Sequence, residues 1–162
     1  MRARSLQLAL SLIAVAANTS AMAQFSSEHW ERVEAVAERL QDDMRRAQEL
    51  LLPKATDSPQ QKANFDDVTW CSRVLGDVER ETTFLRRLHK LRPHVDGQYG
   101  KDLMATYLQS QTRTTQSAIS RGQQAVAKTK LATRNAGVGD LCGRAEAVLQ
   151  SMQTGLREFA EK

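Results

Sequence analysis

Hydrophobic and polar positions alternate along most of this chain at spacings of three and four, the repeat of an amphipathic helix. From about Ser27 to Leu52, apolar residues recur at Trp30, Val33, Ala37, Leu40, Met44, Ala47 and Leu51. Glu28, Glu31 and Glu34 crowd the start of this segment, where a helix dipole favours acids, and Pro53 stops it.

The linker that follows carries a start signal. Ser58 suits an N-cap, Pro59 the first helical position and Gln61 the third, as in a capping box. The helix it opens places Phe65, Val68, Cys71, Leu75, Val78, Leu85 and Leu88 on one stripe, which Trp70, Val74, Phe84 and Leu91 widen. An arc that broad predicts a helix touching two neighbours. Pro93 ends it, and "RPHVDGQYG" reads as the clearest turn in the chain.

A third helical pattern runs from Lys101 to about Ala132 through Leu103, Tyr107, Ala118, Ile119, Val126 and Leu131. Its middle, "QSQTRTTQSAISRGQQ", is dominated by Gln, Thr and Ser, and Gly122 interrupts it at about 1 kcal/mol relative to alanine. This segment either packs closely through small residues or is exposed in part. After "NAGVG", Asp140 is the predicted N-cap of a fourth helix with Leu141, Ala145, Val148, Leu149, Met152, Leu156 and Phe159 on its apolar face. Strand signals are nearly absent. The expected fold is all-α: a single-domain antiparallel bundle of about four helices, one of them long and polar.

The N-terminus changes the expected compartment. Arg2 and Arg4 precede an apolar run from Leu6 to Ala17, and Ala21-Met22-Ala23 fits a small-x-small cleavage site. Residues 1–23 therefore read as a secretory signal peptide and 24–162 as the helical domain. The run is shorter than the roughly 20 residues of a membrane crossing. Removing it lowers the net charge from +4 to +2, because both arginines leave and no acid goes with them. The remaining basic residues are scattered among acids, unlike the clustered patch of a nucleic-acid reader. The expected location is the periplasm or the secreted space.

Two cysteines in an exported chain are most simply one disulfide, here Cys71 to Cys142. Two free thiols, an intermolecular bridge or a reactive thiol are the competing readings. Cys142, expected in the first turn of the last helix, would there have a lowered pKa. The chain has no Cys-x-x-Cys pair, no covalent-haem signature and no Glu-x-x-His pair for a di-metal bundle. Phosphate loops, nucleophile elbows and zinc-protease motifs are missing too. His89 and His94, with Asp96, make at most a weak surface metal site, so neither a resident metal nor a cofactor is expected.

What is left is a binding surface. The polar third segment and the turn before it nominate His94, Tyr99, Tyr107, Gln111, Arg113, Gln116 and Arg121. The expected function is non-catalytic binding of another protein, an unidentified envelope or secreted one, as an accessory, chaperone or inhibitor component in the bacterial envelope. The alternative is a small-ligand or metal-binding bundle with a pocket near Trp30, Trp70 and the histidines.

Overall fold

In a computed structural model of the chain, residues 28–160 are described, with side chains through 157. The predicted signal segment, the start of the first helix at Ser27 and the side chain of Phe159 lie outside these residues. Four helices form a bundle: α1 (28–51), α2 (Pro59–Leu91), α3 (Gln98–Ala132) and α4 (Ala136–Ala160). Short 3₁₀ turns, Leu52–Lys54 and Arg92–His94, follow α1 and α2, and no strand occurs among the described residues.

Buried positions step by three and four in each helix. In α1 they are Trp30, Val33, Ala37, Leu40 and Met44; in α4, Val138, Cys142, Ala145, Leu149, Met152 and Leu156, with Val148 buried beside Leu149. Such a seven-residue repeat presents one continuous seam and suits knobs-into-holes packing of nearly aligned helices. Alignment follows from cross-links between helices. Gln41 exchanges hydrogen bonds with Ser72, and Glu34 pairs with Arg86, so α1 and α2 run in opposite directions. Gln111 with Glu81, then Lys130 with Glu146, reverse the chain again at each step. α2 and α4 therefore run the same way, and they pack directly against each other.

The helix ends are partly as the sequence predicts. Ser58 caps α2, its hydroxyl accepting from the Gln61 amide at 3.2 Å, and Pro59 occupies the first helical position. α3 begins one turn earlier than expected, so Gln98, Tyr99 and Gly100 are helical and not part of the turn. Gly97 precedes it at φ 74°, a left-handed conformation that glycine adopts without a steric penalty.

The start of α4 is a correction. Asp140 is not its cap: Asn135 is, with its side-chain oxygen accepting from the Val138 amide at 3.1 Å. An asparagine in that geometry satisfies an amide that the helix leaves without an internal partner. The helix then runs through Gly137 and Gly139, and Cys142 is seven residues in rather than in the first turn.

The interior face of α3 also differs from its apparent one. Leu108, Thr115, Ile119, Gly122, Val126 and Thr129 are buried, whereas Leu103, Tyr107 and Leu131 are exposed. Gly122 does not interrupt the helix; it lets the helix approach its neighbours. A Cβ there would lie 3.1 Å from Val78, 3.3 Å from Val74 and 3.4 Å from Leu149. The small-residue face is therefore a packing device, and α3 is continuous over 35 residues, about 52 Å.

Candidate functional site

Cys71 and Cys142 form a disulfide with Cα atoms 5.8 Å apart, and both residues are fully buried. Cys142 is thus neither a free thiol nor at a helix N-terminus, and the features that would make it a low-pKa nucleophile are absent.

The histidines do not converge. His29 bonds the Ser151 carbonyl oxygen at 3.1 Å, far along the chain from the others. His89 is half-buried, and desolvation together with the neighbouring Arg92 charge lowers its pKa. His94 is exposed on the 3₁₀ turn. Among the described residues no group of three or more His, Cys, Asp or Glu could hold a metal ion.

The tryptophans also stand apart. Trp30 is buried against Gly155, with the Arg86 guanidinium 5.9 Å from its ring centroid. Trp70 lies sixteen positions before Arg86 along α2, about 24 Å away, and 47 % of its surface is exposed. The two do not share the pocket that a ligand-binding reading would need.

The seven nominated surface residues are spread over more than one face. His94 sits on the turn between α2 and α3, and Tyr99, 82 % exposed, lies in the first turn of α3. Gln111 is engaged by the fold, its amide donating to Glu81 at 2.8 Å. Helical periodicity puts Tyr107 and Arg121 on the flank of α3 toward α2, Gln116 on the flank toward α4, and Arg113 on the outermost line with Ser117, Ser120 and Gln124. Arg113, Gln116, Ser117, Ser120 and Gln124 are all exposed.

That outer line has a distinct charge character. From Leu103 to Ala132, α3 contains Arg113, Arg121, Lys128 and Lys130 and no acid. Lys130 is paired with Glu146 of α4 at 3.1 Å. Along the remainder, side-chain hydroxyls of Thr106, Thr112 and Thr114 bond back to carbonyls four residues earlier. Arg113, Gln116 and Gln124 are exposed on the same helix. The face therefore offers hydrogen-bonding groups and positive charge to solvent.

A second feature appears in the structure alone. A groove of about 470 Å³ runs between α2 and α3, lined by Trp70, Val74, Asp77, Glu81, Ala118, Arg121 and Gly122, among others. In the sequence, Trp70, Val74 and Leu91 read as part of a broad core arc. The structure buries the core stripe but leaves Trp70, Phe84 and Leu91 exposed, Trp70 beside α3. The excess width of the arc is the signal that could have marked this face. A comparable groove between α1 and α4, floored by Val33, Leu40 and Val148, is bordered by Arg144, which is paired with Asp43 at 2.7 Å. No described helix is long and apolar enough to cross a membrane. No family model, curated protein or solved structure matches the chain.

Proposed function

We propose that this chain is a non-catalytic exported helical protein that binds another protein in the bacterial envelope, as an accessory, chaperone or inhibitor component. The observation that carries this reading is the outer line of α3. A 35-residue helix is fastened along one face to α2 and α4, while its opposite face shows Arg113, Ser117, Ser120 and Gln124 to solvent, with Gln116 exposed on the flank toward α4 and no acid among them. Among the described residues, nothing packs over the outer line of that face. The buried disulfide supports residence in an oxidising compartment, and the N-terminal layout of basic, apolar and small residues supports export through cleavage after Ala23.

The test is a pull-down from a solubilised envelope fraction with the oxidised protein and a variant carrying Arg113→Glu, Gln116→Ala and Ser120→Glu. All three positions are exposed, so helicity and Tm should be unchanged. Retention of a partner by the parent protein, and its loss with the variant, is the expected result. Equal retention by both proteins, or by neither, contradicts the reading.

A further inference from the structure

We propose that the α2–α3 face around Trp70 is a self-association surface, and that its occupant is the same face of a second copy of this chain. This inference goes beyond heterologous binding through the outer line of α3 and does not depend on it.

The face combines a projection and a recess. Trp70 stands half exposed on one wall of the groove, while Ala118, Gly122 and Ala125 leave room on the other. Within one molecule Trp70 does not fill the space. The two walls are level with each other: Gly122 lies against Val74 and Val78, and Gln111 bonds Glu81. A twofold axis parallel to the hairpin keeps these heights and sets α2 of one copy over α3 of the other. Each Trp70 then meets the small residues of its counterpart, as required of a self-complementary interface.

The remaining side chains obey the same symmetry. Asp77 and Glu81 line the α2 wall and Arg121 the α3 wall at nearly the same height. Arg80 donates to Asp77 within the chain, so the lining carries two acids and two bases. Two copies of it carry no net repulsion, and each Asp77 faces the other copy's Arg121. Further toward the turn, Leu91 lies ten residues past Glu81, and Leu103 eight residues before Gln111. The same axis therefore brings exposed Leu91 to exposed Leu103, with Tyr107 one turn away.

The size suits such a contact. From Trp70 to Leu91 the face is about 31 Å long, and two helices make it about 20 Å wide, a footprint of about 620 Å², at the lower end of the roughly 600–1,000 Å² per partner of a standard interface. An unrelated helix could use the apolar groove, but it would not account for acid and base, and large and small residues, being matched at equal heights on one surface.

Sedimentation equilibrium of the purified, oxidised protein tests the proposal, with Trp70→Glu, Asp77→Arg and the double exchange Asp77→Arg/Arg121→Asp as variants. The parent protein should approach twice its chain mass between 1 and 500 µM, values of about the range set by typical interface affinities. Trp70→Glu and Asp77→Arg should weaken association by about 100-fold or more, a loss typical of a central interface anchor, with circular dichroism and Tm retained. The double exchange should restore the dimer. A parent protein that is monomeric throughout overturns the proposal, even if Trp70 captures a foreign helix. So does a dimer that Trp70→Glu leaves intact.

Discussion

Cys71 and Cys142 join two helices that run in the same direction, at a level where Gly122 of α3 packs a short distance further along the same seam. Val78 and Leu149, two of the three residues that approach Gly122, are each seven positions beyond a cysteine. The bond therefore fixes the register of α2 against α4, and α3 closes over that fixed pair. With 71 residues between the cysteines, the crosslink restricts a long loop of the unfolded chain.

Replacing both cysteines by alanine should lower unfolding stability by about 4 kcal/mol in the loop-entropy description. Urea titration followed by circular dichroism measures it. Because the two sulfurs are bonded to each other, the parent protein should show no reactive thiol even in denaturant.

Thr115 should be a weak point in the core. It is fully buried on α3, and among the described residues its hydroxyl has no hydrogen-bond partner. Thr112 and Thr114 return their hydroxyls to backbone carbonyls, whereas Thr115 does not. Thr115→Val keeps the shape and removes the unsatisfied group, so stability should rise by about 1 kcal/mol. A lower Tm for the variant would show that the hydroxyl is bonded.

Asn135→Ala should cost about 1 kcal/mol through loss of the α4 cap, whereas Asp140→Ala should leave the unfolding midpoint nearly unchanged. The pair of chemical denaturation curves distinguishes the two residues as helix starters.

Glu79 predicts a pH effect. Burial, then the nearby Glu38 and Glu34 charges, raise its pKa above the ordinary 4.5. In the interval between its unfolded and folded pKa, the folded protein holds more protons, so Glu79's contribution to stability falls as pH rises. Glu79→Gln should remove that fall, and Arg86 continues to pair with Glu34 in either protein. Urea midpoints from pH 4 to 8 should converge at the acid end and favour the variant at the neutral end.

Much of the architecture is legible in the chain. The three-and-four spacing marks all four helices, Ser58-Pro59-Gln61 marks a start, and Cys71 with Cys142 marks a crosslink. Register in α3 is less legible, because the eye follows Leu103, Tyr107 and Leu131, while the packing follows Thr115, Gly122 and Thr129. Close helix approach selects for small size more than for hydrophobicity, and a hydropathy pattern does not register size. Asn135 is overlooked for a related reason: Gly137 and Gly139 look like a loop, yet a good cap upstream carries the helix through them. The surface is the least legible part. Of the seven nominated residues, Gln111 is engaged by α2, and the rest occupy different flanks of α3 and the turn before it.

The most direct test of protein binding through α3 is site-specific photo-crosslinking in the intact envelope, with the reactive residue placed at Ser117 or at Arg39. Both positions are exposed, one on α3 and the other on α1. With protein binding through α3, a discrete adduct with another protein is expected from Ser117 and none from Arg39. No adduct at Ser117, or the same adducts from both positions, would contradict it.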